Sequence, residues 1–160
     1  MNCVVEVVDQ VGLTGGDQPI VELVKAVLQA EGVAGELVVA LVDEKTITDL
    51  NRRYRGLEEP TDVLSFRALE GAADWPRTLG DEAAGELIVC PAVVARYALE
   101  DGRSANLQLS WTLIHGVLHL LGYDHEADQG EMRVREQALV DALGPLSRVL
   151  PALAEKGKPW

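Results

Sequence analysis

The sequence predicts an α+β fold: a small mixed β-sheet of about four strands packed with helices, one of them buried at the centre. Three observations carry this prediction. Strand-length, β-branched segments fall in the first part of the chain, whereas helical periods dominate from Pro91 onward. The segment Leu109 to Leu121 is apolar around most of a helix circumference, which a helix tolerates only inside a core. The length of 160 residues suits one domain, 1–160, able to bury roughly two thirds of its unfolded surface.

Taken in order, "CVVEVV" (Cys3 to Val8) reads as a strand, ended by a glycine-bearing loop. Asp17 is placed to cap a helix, Pro19 fits its first turn, Val21, Val24 and Leu28 recur at helical spacing, and Gly32 stops it. "ELVVALVD" (Glu36 to Asp43) is a second strand, largely buried, since "LVVALV" is the longest clean apolar run. In "EKTITDLNRRYR", Ile47, Leu50 and Tyr54 share one helical face, and Gly56 ends that helix. "TDVLSF" (Thr61 to Phe66) and "GELIVC" (Gly85 to Cys90) are the remaining strands, joined by an exposed loop. Helices then follow over Pro91 to Glu100, Leu107 to Leu121 and Asp128 to Leu143, while "PALAEKGKPW" has no period.

Composition excludes several classes. No apolar run approaches the length of a membrane span, and the N-terminus lacks the basic start of a secretory signal, so the expected location is cytoplasmic. Cys3 and Cys90 are too few for a disulfide scaffold and read as buried thiols. With 14 basic against 26 acidic residues the formal charge is −12, which argues against broad nucleic-acid binding and requires a local basic patch for any anionic substrate.

All three histidines stand in "HGVLHLLGYDH". His115 and His119 are four apart on the apolar helix, one above the other on one face, as two ligands of one metal must be. Gly122 then permits a reversal that could bring His125 back toward them. Three imidazoles suit zinc, one ion per chain, with nickel or cobalt as possible substitutes; a fourth position left to water is the catalytic arrangement. The spacing matches the protease motif H-E-x-x-H-x-x-G-x-x-H except that Gly116 stands where the protease has its glutamate base. A glycine cannot accept a proton, which shifts the expected target from a peptide to a phosphodiester. The basic cluster that could meet a phosphate is Arg52, Arg53, Arg55 and Arg67, and Arg55, four residues after Asn51 and beside the apolar stripe, is the strongest candidate. Arg52 and Arg53 read as solvated.

The sequence closely resembles the YbeY family of bacterial endoribonucleases, also called rRNA maturation factors. "LNRRYRGLEEPTDVLSF", "GELIVC" and above all "HGVLHLLGYDH" carry the resemblance, with Met132 and Glu136 extending it through most of the chain. It implies that His115, His119 and His125 bind zinc and that Arg55 is the catalytic arginine. It further implies cleavage of single-stranded RNA, in maturation of the 3′ end of 16S rRNA and in ribosome quality control, with the ribosome or its small subunit as partner. Neither DNA nor a membrane is an expected partner. Two departures stand out: Arg67 replaces the family's usual proline, and the loop Ala68 to Ala84 matches no pattern. Asp124 can serve either the turn or a ligand's orientation. Water and the ribose 2′-hydroxyl both stay open as nucleophile. A zinc peptidase drawing its base from elsewhere, and a ribosome-associated binding protein with a structural zinc, are the alternatives.

Overall fold

A computed structural model describes residues 3–12, 16–67, 82–124 and 126–144. The elements run β1 (Cys3–Asp9), α1 (Gln18–Ala30), β2 (Ala34–Leu41), α2 (Glu44–Arg55), β3 (Val63–Arg67), β4 (Glu82–Val89), α3 (Pro91–Asp101), α4 (Ala105–Leu120) and α5 (Glu131–Leu143). The four strands form one mixed sheet in the order β1-β2-β4-β3, so the α+β class holds. β1, β2 and β4 are parallel, and β3 lies antiparallel to β4 at the edge, with Ser65 opposite Leu87. Most of the loop between β3 and β4, and the tail from Pro151, lie outside the described residues.

Alternation along the strands divides the interior in two. Leu37, Val39 and Leu41 of β2, with Leu87 and Val89 of β4 and Val63 of β3, meet the large core formed with α1 and α4. Ala40, Ile88 and Leu64 point the other way, onto Ile47 of α2. A strand buried on both faces reads as a continuous apolar run, which is why "LVVALV" does. The central helix is α4: it touches α1, α3, α5, β3 and β4, and Leu109, Leu113, Ile114, Val117, Leu118 and Leu120 are fully buried. Truncating one such leucine to alanine costs about 2–5 kcal/mol in comparable cores.

Several ends differ from the sequence reading for local reasons. Asp43 leaves the strand and caps α2, accepting from the Thr46 N–H at 2.8 Å, a bond that also holds its carboxyl below the usual range. Asp17 precedes α1 but makes no side-chain cap. Asp128 is not helical; its carboxylate accepts from the N–H groups of Gly130 and Met132, both at 2.8 Å, so α5 starts at Glu131. β4 starts at Glu82 rather than Gly85 because pairing with Ala34 of β2 extends it. Of the two cysteines, Cys90 is buried as expected while Cys3 is only partly so.

After α4 the chain reverses at Gly122, whose φ of 99° is open to glycine at little cost. Tyr123 then pins the reversal. Its hydroxyl donates to Glu31 Oε1 at 2.7 Å, and Arg135 Nε of α5 donates to Glu31 Oε2 at 2.5 Å. Burial, and then the Glu31 carboxylate, push the Tyr123 hydroxyl up to about 12. Among the described residues no helix is long and apolar enough to cross a membrane.

Candidate metal centre and cleft

The site lies along the free edge of the sheet. β3 and the residue before it are fastened to α4 by three side-chain hydrogen bonds: Thr112 Oγ1 donates to Asp62 Oδ2 at 3.1 Å, Ser65 Oγ to the Gly116 carbonyl at 3.2 Å, and Arg67 Nη2 to the His119 carbonyl at 3.3 Å. α2 packs on the opposite face of the sheet, and its C-terminal turn reaches the same edge, where Tyr54 meets Phe66 of β3 with ring centroids 5.1 Å apart. The resulting cleft has a volume of about 690 Å³ and is lined from α2 by Tyr54 and Arg55 and from α4 by His115 and His119.

His115 and His119 sit one turn apart, as their spacing predicts, with ring centroids 4.7 Å apart and planes at 76°. Glu136 of α5 completes the arrangement. Its Oε2 lies 3.0 Å from His115 Nδ1, and the two side chains are 32% and 15% exposed. A carboxylate at that position accepts a hydrogen bond from Nδ1–H, which leaves Nε2 of the neutral ring as the lone-pair donor. Such a donor set fits a zinc-like ion: two imidazoles from consecutive turns, one with its tautomer fixed by a carboxylate. His125 lies outside the described residues, and among those described no group of three His, Cys, Asp or Glu side chains is placed to hold a metal.

Gly116 has a packing reason of its own. A Cβ there would stand 3.0 Å from Leu87 Cδ2 and 3.2 Å from Val63 Cγ2, so this is where α4 rests on the sheet. Asp124 serves the turn, its Oδ1 accepting from the Glu126 N–H at 3.0 Å, and also lines the cleft.

The arginines separate into two groups. Arg52 and Arg53 are exposed, as expected, and both pair with Asp49, at 2.5 and 3.5 Å. Arg55 faces the cleft and makes no ion pair among the described residues. Buried Asn51 holds the chain beyond it, donating from Nδ2 to the Glu59 carbonyl at 2.9 Å. Arg67, the departure noted in the sequence, also lines the cleft.

Four participants escaped the sequence reading. Glu136 was noted only as part of a resemblance, because nothing local ties it to a histidine 21 residues earlier. Asp62 owes its place to the helix that Thr112 sits on. Arg103 and Trp111 meet across the start of α4, where no pattern signals them.

The sequence profile of the family described as Endoribonuclease YbeY matches residues 13–144. The chain belongs to the YbeY family. Among its YbeY relatives, the protein described as Endoribonuclease YbeY from Roseiflexus sp. (strain RS-1) is 44% identical over 140 residues, 81% of this chain and 84% of that one. Its counterpart from Halorhodospira halophila is 43% identical over 141 residues, 82% and 88% of the two chains. That from Moorella thermoacetica is 42% identical over 129 residues, 76% and 83%. The solution structure of TM1509 from Thermotoga maritima superposes with a TM-score of 0.59 at 30% identity, covering 86% of this chain and 87% of that one. The matched YbeY region contains both histidines of the cleft, Arg55 and Glu136.

Proposed function

We propose that this protein is a zinc-dependent endoribonuclease cutting single-stranded RNA, acting in the cytoplasm on the 3′ end of the 16S rRNA precursor and in ribosome quality control. The observation that carries the reading is one cleft shared by two imidazoles, one of them oriented by a carboxylate, and an arginine without a carboxylate partner among the described residues. Membership of the YbeY family supports RNA as the substrate class.

In this reading His115, His119 and His125 hold one zinc ion per chain, a role nickel or cobalt could fill. Bound there, zinc supplies an acidified water or polarises a phosphoryl oxygen. Glu136 keeps the His115 ring in one tautomer and one orientation. Arg55 grips the phosphate with its fork of donors and offsets the charge that develops on it. Gly116 offers no proton acceptor beside His115, and its tight seat against Leu87 leaves no room for one, which disfavours the peptidase alternative. A chain of net charge −12 repels free RNA at long range, so presentation of the substrate by the small ribosomal subunit fits the electrostatics.

Cleavage of a single-stranded RNA by purified wild type, His115→Ala and Arg55→Ala, with metal content measured on each, tests the reading. His115→Ala should lose metal and activity together. Arg55→Ala should keep its metal while cleavage falls about 10²-fold or more, the scale of a lost charge-stabilising donor. Wild-type turnover by Arg55→Ala would remove that residue from the mechanism, and cleavage surviving both changes would assign the activity to a contaminant.

A further inference from the structure

One cleft cation is built into the wall by contacts that the reaction above does not use. Arg103 lies between α3 and the Ser104 cap of α4, its backbone N–H bonded to the Ala98 carbonyl at 2.9 Å. Its guanidinium carbon stands 5.0 Å from the Trp111 ring centroid, and its Nη1 donates to Gln108 Oε1 at 3.4 Å. All three side chains line the cleft. Arg52, Arg53, Arg96 and Arg135 each have a carboxylate partner, whereas Arg103 has none among the described residues. Four acids line the cleft with it, and none pairs with Arg103: Asp62 accepts from Thr112, Glu136 meets His115, Asp124 accepts from the Glu126 N–H, and Glu126 itself lies in the lining.

An indole behind the guanidinium and an amide beside it restrict the orientation of a side chain that otherwise has many rotamers. Only one of its five donors has a hydrogen-bond partner among the described residues, in a side chain that lines the cleft. A positioned, uncompensated guanidinium in an acidic chain is a site for an anion with two adjacent oxygens. Its place is set by α4. Trp111, His115 and His119 occupy successive turns of one face, so Arg103 sits one turn beyond His115, on the side away from His119. At 1.5 Å per residue that is about 6 Å along the helix axis.

We propose that Arg103, held by Trp111 and Gln108, is a second phosphate subsite, binding a phosphate that neighbours the cleaved one in the same RNA strand. This rests on the endoribonuclease reading and adds to it a preference for oligonucleotides over dinucleotides.

The test uses the metal-loaded full chain and a short single-stranded RNA with one cleavage site. Two further substrates carry an uncharged methylphosphonate in place of the phosphate on one side or the other of that site. Arg103→Ala should raise KM about tenfold with kcat changed little, as expected for binding shared by ground and transition states. Arg103→Lys, which keeps the charge without the fork, should recover part of the loss. For the wild type, one methylphosphonate position should raise KM by a similar factor, and that same substitution should add nothing in Arg103→Ala, the signature of two changes removing one contact. The methylphosphonate comparison on wild type stands whether or not a variant folds. The subsite is refuted if wild type cleaves all three substrates with the same KM, or if the penalties of methylphosphonate and Arg103→Ala add in full. Failure of wild type to bind or cleave any RNA would overturn the endoribonuclease reading itself, and the subsite with it.

Discussion

Glu136 touches the site through a single ring nitrogen, and that contact gives it a measurable role. Glu136→Gln keeps the shape and removes the charge, so His115 can take either tautomer and its Nε2 becomes a poorer donor. Metal affinity should fall about 10- to 100-fold, the range seen when such outer partners are lost. Competition with a chelator of known affinity measures it, and an unchanged dissociation constant would reduce Glu136 to a packing residue. At this scale the sequence was informative where chemistry is local. His115 and His119 were singled out by their spacing, and Arg55 by its place four residues after Asn51 beside the apolar stripe, and all three line the cleft. Glu136, Asp62 and Arg103 did not, because each reaches the cleft through a crossing of elements that no run of residues encodes.

Among the elements, α4 is the one on which fold and site depend together. Gly116 is a point where it packs tightly on the sheet, so Gly116→Glu, which restores the protease pattern in letters, should fail in substance. A Cβ against Leu87 and Val63, followed by a carboxylate at the edge of the core, should cost about 2 kcal/mol or more. Denaturant unfolding would show a lower midpoint, and a casein digest should remain blank; a wild-type midpoint would mean that α4 can lift off the sheet freely. The helices and strands themselves were legible because their apolar periods match what each buries. Their ends were less so. Asp43 and Asp128 both bond to main-chain N–H groups just before a helix, and an aspartate extending a strand reads the same as one capping the next element. The start of β4 depended on how far β2 extends beside it.

For the molecule as a whole, the contest is between a charge of −12 and an anionic substrate. The sequence offered Arg52, Arg53, Arg55 and Arg67 as phosphate contacts. In the structure Asp49 engages the first two while Arg103 lines the cleft with Arg55 and Arg67, and these three are the contacts proposed here. Three contacts at roughly −0.7 each predict a slope of about −2 for log affinity against log salt with single-stranded RNA. Binding measured at several salt concentrations with His115→Ala checks this, and a slope near −6 would require a basic surface elsewhere.

The order of the sheet bears on when such a cleft can exist. β4 lies between β2 and β3 in space but follows both in the chain, and it pairs with a strand some way behind it, Val38 opposite Glu86. The strand that forms the cleft's rim therefore gains its place in the sheet only when a later strand has closed a long loop and slipped in beside β2. α4, which supplies the opposite wall, comes later still. The cleft's parts are thus made at different times during synthesis, and a half-made copy holds Arg55 of α2 without the His115 and His119 that line the cleft with it.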